Sequence, residues 1–244
     1  MPAMVRIVFM GTPAFALKPL ETLLATHAVV GVVSQPDRPA GRGRALQPPP
    51  VKRLAEEAGV PVYQPRSLKS EEAAAPLRAW APDLIVVAAF GQILRPHVLD
   101  LPPHGCLNLH ASLLPRWRGA SPIQHAILAG DTESGISLMR MDLGLDTGPV
   151  YAQRGLPLRP DETAASLHDR LSRLAAGMLA AYLGDILAGR LPAVPQDDST
   201  ASNAPLIRKA DGRLDWSQPA AALERRVRAM TPWPGVYTDW DGRQ

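Results

Sequence analysis

Cysteine is almost missing. Cys106 is the one thiol of the chain, so an internal disulfide is excluded and no thiolate cage can hold a metal. Between Gly105 and Leu107 it reads as a small buried residue and not as a nucleophile. No His, Asp or Glu spacing suggests a metal site, so none is expected. Aromatic residues are only 5% of the chain, so the core must be built from Ala, Leu and Val. No apolar run approaches the roughly 18 residues that span a bilayer. The start, Met1-Pro2-Ala3-Met4-Val5-Arg6, has no signal-peptide pattern. A cytoplasmic protein without membrane contact is expected. A formal net charge of +3 is too mild to identify a polyanionic partner by itself. Two nucleotide fingerprints are also missing. Gly11-Thr12-Pro13-Ala14-Phe15-Ala16 is not Gly-x-Gly-x-x-Gly, and no Walker lysine motif occurs, which disfavours a dinucleotide cofactor.

What is present is a βα rhythm. Val5–Met10 reads as a strand, Ala14–Ala25 as a helix and Val29–Val33 as a second, buried strand, which implies a parallel pair with a right-handed crossover. Helices follow over 51–58, 70–80 and 121–129. Strands are expected over 60–63, 84–88, 134–141 and 148–156. A long alanine-rich helix over 163–188 carries Leu167, Leu171, Leu174, Met178 and Leu179 at three- and four-residue spacings, the pattern of a helix packed on a sheet. The fold class expected from this rhythm is α/β with parallel strands. Ligands of such sheets lie beyond the carboxyl ends of the strands, where Phe90, Gly91 and Asn108–His110 fall.

The chain is organised around the stretch 105–148. In Leu107-Asn108-Leu109-His110 the leucines alternate with the polar pair, so on a strand the leucines face a core while amide and imidazole share the other face. An amide beside an imidazole can donate to a developing oxyanion and move a proton at neutral pH. A carboxylate from elsewhere would fix the imidazole tautomer and favour its charged form. Asp146, in the glycine-flanked run Gly144-Leu145-Asp146-Thr147-Gly148, is the candidate. Asn-x-His alone is not specific; Ser112-Leu113-Leu114-Pro115 directly after it and the later Leu-Asp-Thr-Gly raise its weight.

A second feature is the loop Gln35–Pro50, longer than an ordinary βα connection. It carries Arg38, Arg42 and Arg44 on a Pro/Gly frame, with Lys52 and Arg53 following. It reads either as a solvated insertion or as a grip for phosphates or an RNA backbone. After the long helix, 191–203 turns polar and proline-bearing and reads as a linker. A new unit then begins, with a helix over 220–230 and a first strand at Trp233–Thr238. The division expected is 1–190, a linker at 191–205, and 206–244 as the beginning of a second domain too short to bury its own core.

With these motifs the chain resembles the methionyl-tRNA formyltransferases. The matching stretches are Val8–Pro13, the loop from Gln35 to Lys52, Asn108–Gln124 with its Arg-Trp-Arg-Gly-Ala-Ser-Pro-Ile-Gln run, and Met141–Gly148. The resemblance implies a Rossmann-like catalytic domain, a mostly parallel sheet with helices on both faces, that uses 10-formyltetrahydrofolate as formyl donor, without metal, and the start of an OB-type barrel that grips tRNA, incomplete in this chain. It implies methionylated initiator tRNA as acceptor, in translation initiation, and a monomer. On this reading Asn108, His110 and Asp146 are catalytic. Folate lies along Phe90, Gly91, Gln92, Ile93 and Leu94 and along Ser112, Leu113, Leu114, Pro115 and Arg116. Arg38, Arg42, Arg44 and Lys52 contact tRNA. Two alternatives stay open at this point: a formyltransferase for an amino sugar nucleotide or another small amine, and a non-catalytic folate- or RNA-binding fragment.

Overall fold

A computed structural model of the chain describes residues 4–40 and 45–239. Its centre is a seven-stranded sheet of order β5-β2-β1-β6-β7-β8-β9. The strands are β1 (Arg6–Gly11), β2 (Ala28–Val33), β5 (Val62–Tyr63), β6 (Leu84–Ala88), β7 (Cys106–His110), β8 (Glu133–Arg140) and β9 (Val150–Pro157). The first five pair in parallel; β8 and β9 are antiparallel. The sheet is therefore mostly parallel, as expected. β3 (Arg38–Ala40) and β4 (Ala45–Gln47) form a separate antiparallel hairpin.

Helices cover both faces. They are α1 (Leu17–Thr26), α2 (Pro50–Glu57), α3 (Ala75–Trp80), α4 (Pro96–Leu99), α5 (Pro122–Ala129), α6 (Ala164–Leu187) and α7 (Ala220–Ala229). Strand alternation sorts the core into two layers. Ile7, Phe9, Val86, Leu107 and Leu109 pack with residues of α1, α2, α5 and α6. Val8, Met10, Ile85, Val87 and Cys106 pack with Leu77, Val98 and Leu99 on the other face. The leucines of β7 thus face one core, as the alternation requires. The Cys106 thiol lies in the second; burial pushes its pKa up to about 12, so it stays protonated and inert.

The strand order reverses between β1 and β6, and there the loops after β1, β2 and β6 meet. Thr12 Oγ1 donates to the Phe90 carbonyl at 3.3 Å, and Gln35 Nε2 donates to the same oxygen at 3.2 Å. Gln35 N donates to Thr12 Oγ1 at 3.2 Å. A crevice of this kind is where α/β sheets hold ligands.

The C-terminal quarter departs from expectation in two places. The stretch read as a linker is bonded backbone to backbone onto the turn after β7: Arg118 N donates to Ser202 O at 2.8 Å, Ala204 N to Arg118 O at 2.7 Å and Ser121 N to Ala204 O at 3.1 Å. The strand expected at Trp233–Thr238 is instead a turn followed by a single bridge between Tyr237 and Arg213. Pro232 and Pro234 bring no N–H to that segment and cannot extend a ladder. The helix α7 packs on α5, with Arg225 Nε donating to Leu128 O at 3.2 Å and Ala229 entering the first core. Among the described residues no helix is long and apolar enough to cross a membrane.

Candidate active site

β7 delivers the polar pair. Asn108 and His110 point away from the leucine face and are only 8% and 6% exposed. The chain leaves β8 at Met141, whose N–H donates to Cys106 O at 2.8 Å, and folds back over this face of β7. Asp146 then arrives between the two side chains. Asn108 Nδ2 donates to Asp146 Oδ1 at 3.3 Å, and His110 Nδ1 lies 3.6 Å from Asp146 Oδ2. The amide, imidazole and carboxylate expected to act together are in one cluster.

Two further groups complete it, both from the turn after β7. Gly119 N donates to Asp146 Oδ2 at 2.9 Å, and His110 Nε2 faces the Trp117 carbonyl at 2.9 Å. With that carbonyl as its partner, Nε2 carries a hydrogen and Nδ1 is the edge turned to the carboxylate. The turn can present both groups because Trp117 has φ 63° and Gly119 φ 120°; the second value suits glycine alone. Trp117 is held in place by its indole N–H, which donates to Asp131 Oδ2 at 2.7 Å, and by the Arg116 guanidinium lying 4.4 Å over its ring.

The loop that carries Asp146 is pinned as well. Its unusual backbone is at Asp146 itself, with φ 54°, and not at the flanking Gly144 or Gly148. Aspartate tolerates this region better than most residues, at a cost of about 1–3 kcal/mol that the surroundings must offset. Gly148 serves close approach instead, since a Cβ there would run into the Arg140 carbonyl oxygen. Asp142 Oδ1 accepts from Gly144 N at 3.0 Å and from Thr147 Oγ1 at 2.7 Å.

The stretches assigned to folate are mostly turned inward. Phe90 and Leu94 are buried in the second core. The Gln92 amide is committed to the chain at 65–68, accepting from Leu68 N at 2.9 Å and donating to Pro65 O at 3.2 Å. Ser112 is buried and donates to Arg116 O at 2.6 Å. Leu114 is buried, Pro115 is half-buried, and Arg116 is bound to Asp131 at 2.5 Å. Leu113 and Arg116 line a hollow of about 300 Å³ beside Trp117 and Asp131. What stays open is backbone at Gly91, with φ 80°, and the exposed side chain of Ile93. Leu143 and Leu145, on either side of Gly144, are also exposed; their setting in a loop gave no periodic pattern by which to single them out.

In the arginine loop, Arg38 is exposed on the β3–β4 hairpin and its Nη2 lies 3.5 Å from Gln35 Oε1. Arg42 and Arg44 lie outside the described residues. Lys52 is not a free cation: its Nζ bonds both Asp37 oxygens, at 3.0 and 2.9 Å. Gln64 and Lys52 together hold the Asp37 carboxyl below the usual carboxylate range. Among the described residues no cluster of His, Cys, Asp and Glu could hold a metal ion.

The chain is similar to known proteins in sequence and in fold. A family profile described as formyl transferase matches residues 5–183, and one described as formyl transferase, C-terminal domain, matches 206–244. The methionyl-tRNA formyltransferase of Halorhodospira halophila is 57% identical over 95% of this chain and 74% of its own length. That of Geobacter sulfurreducens is 52% identical over 98% of this chain and 75% of its own. Among solved structures, a 4-N formyltransferase from Francisella tularensis shares the fold with a TM-score of 0.77 at 14% identity, over 99% of this chain and 95% of that one. By profile, sequence and fold together, the chain belongs to the methionyl-tRNA formyltransferase family.

Proposed function

We propose that this chain moves the formyl group of 10-formyltetrahydrofolate onto the α-amino group of methionylated initiator tRNA, with Asn108, His110 and Asp146 at the reacting centre. The observation that carries the assignment is the convergence of the Asn108 amide and the His110 ring on the Asp146 carboxylate, at 3.3 and 3.6 Å. Both contacts are longer than an ordinary hydrogen bond to a carboxylate, as is common at catalytic sites without substrate.

The chemistry asks for three things. The amine nitrogen must attack the formyl carbon, an oxyanion must be stabilised there, and a proton must pass from the amine to the departing N10. Asn108 uses one amide hydrogen on Asp146 and has a second for the oxyanion. His110, anchored at Nε2 by the Trp117 carbonyl, turns Nδ1 to the same space and donates from it when the ring holds a second proton. Asp146 holds that edge and receives the amine proton before it passes to N10. Preorganised donors of this kind act strongly because they need no reorganisation during the reaction.

The donor fits the open groups near the trio. A pterin suits backbone recognition at Gly91 and apolar contact with Ile93, Leu143 and Leu145. The acceptor's phosphates suit the arginine loop, with Arg38, Arg42 and Arg44 as contacts; Lys52 supports the base of that loop. Residues 1–190 form the catalytic unit, 191–205 connect it, and 206–244 begin an OB-type tRNA-gripping unit. The chain works as a cytoplasmic monomer. An amino-sugar acceptor is less favoured, because the relatives at 52–57% identity are tRNA enzymes.

The test is single-turnover formyl transfer by the purified chain, with His110→Ala alongside. Transfer to methionyl initiator tRNA that vanishes in the variant supports the assignment. Transfer to an amino-sugar nucleotide but not to the tRNA overturns the acceptor.

A further inference from the structure

Asp146 is the member of the trio whose backbone is most in need of support, and that support comes from a residue far along the chain. Gln196 lies in the stretch expected to be a linker. Its Nε2 donates to the carbonyl oxygens of both Asp146, at 2.9 Å, and Gly148, at 2.7 Å. Its Oε1 accepts two bonds from Arg118, from Nε at 3.0 Å and Nη2 at 2.8 Å. Arg118 is 8% exposed and reaches Asp198 Oδ1 at 2.7 Å on its outer side. The residue after it, Gly119, donates its N–H to the Asp146 carboxylate. These contacts close a ring: Asp146 carboxylate, Gly119, Arg118, Gln196, Asp146 carbonyl.

We propose that Gln196 is a positioning residue for catalysis, which fixes the Asp146 carboxylate by holding the main chain of Asp146 and Gly148, with Arg118 as its anchor. The proposal rests on the catalytic reading of Asp146 given above. A primary amide suits the position, because one side must donate to two carbonyls while the other accepts from a guanidinium. Neither alanine nor glutamate supplies both. The segment around Gln196 is itself tied down, with Val194 and Val150 exchanging backbone bonds at 2.8 Å and 2.8 Å. The catalytic loop is therefore clamped from the far side of its own carboxylate.

The experiment compares Gln196→Ala, Gln196→Glu, Asp146→Asn and the double variant Asp146→Asn/Gln196→Ala by formyl-transfer kinetics and thermal melting. The substrates are 10-formyltetrahydrofolate and methionyl initiator tRNA. Misplacing a reacting group by about 1 Å costs up to about 100-fold, so each Gln196 variant should lose roughly 10- to 100-fold in kcat with both KM values within about two-fold. Gln196→Glu keeps an acceptor for Arg118 and loses the donor, so it should fail as Gln196→Ala does while still folding. In the Asp146→Asn background, Gln196→Ala should cost at most about three-fold more, because both act through one group. A kcat within about three-fold of the parent in a folded Gln196→Glu chain, a loss confined to KM, losses that simply multiply, or unfolding of both Gln196 variants would each overturn the proposal. Parent-like turnover in Asp146→Asn would instead remove the catalytic reading itself.

Discussion

Two loops of this molecule each carry an aspartate, and they hold it in opposite ways. Asp146 meets an amide, a backbone N–H and an imidazole edge. Asp37, in the loop after β2, meets the Lys52 ammonium and the Gln64 amide. The first carboxylate accepts from two neutral donors, the Asn108 amide and the Gly119 N–H, and no lysine or arginine balances its charge. The second has its charge balanced by a lysine, which stiffens the base of the arginine loop while Arg38 points outward. A catalytic carboxylate needs a fixed place and an uncommitted charge. A loop that meets phosphates, the role proposed above for this one, needs outward charge on a firm base, because phosphate contacts act through the field and tolerate small displacements.

The contrast can be broken at several points. The largest effect should come from the trio: Asn108→Ala and His110→Ala each lose about 100- to 1000-fold in turnover without unfolding, as removal of an oxyanion donor does. Near-parent turnover in either would remove that residue from the mechanism. Asp146→Asn keeps the shape and loses the charge. It should fall by at least about 10-fold in kcat, an effect measured by single turnover with saturating tRNA. Arg42→Ala and Arg38→Ala should act differently, raising KM for charged tRNA by about 3- to 10-fold while folate binding stays unchanged. The salt dependence of tRNA binding should become shallower in these variants; equal loss of folate binding would refute the division of labour between the loops.

The smallest effect concerns Asp37. Its pKa is lowered first by the Gln64 hydrogen bond and then by Lys52. A depressed carboxyl contributes stability above its unfolded pKa and loses it as pH falls through the folded pKa. Asp37→Asn should therefore lower Tm by about 1–3 °C at neutral pH, with the difference vanishing in acid. A difference that persists in acid would assign the loss to packing.

Part of this architecture is legible in the sequence. The alternation of Leu107 and Leu109 with Asn108 and His110 placed a polar pair on one face of a strand, because side-chain direction in a strand has period two. The long helix α6 announced itself by its leucine spacing. Other features left no local trace. The β3–β4 hairpin falls in a Pro/Gly-rich loop without alternating pattern. Gln92 and Ser112 read as ligand contacts but are bonded to their own chain, since a sequence does not say which polar groups the backbone will claim. Gln196 lies in a stretch whose composition is that of a connector.

The sequence by itself determined the α/β class, the polar pair on β7 and the candidate carboxylate, because these depend on periodicity and on residue chemistry within a few positions. Only the tertiary structure decided that the Trp117 carbonyl and the Gly119 N–H meet His110 and Asp146, that Lys52 belongs to Asp37, and that Gln196 bonds the backbone at Asp146 and Gly148. Those contacts and the Arg118 anchor of Gln196 join residues up to 78 positions apart, and no local pattern encodes a partner at that distance; packing of the sheet and its loops brings them together.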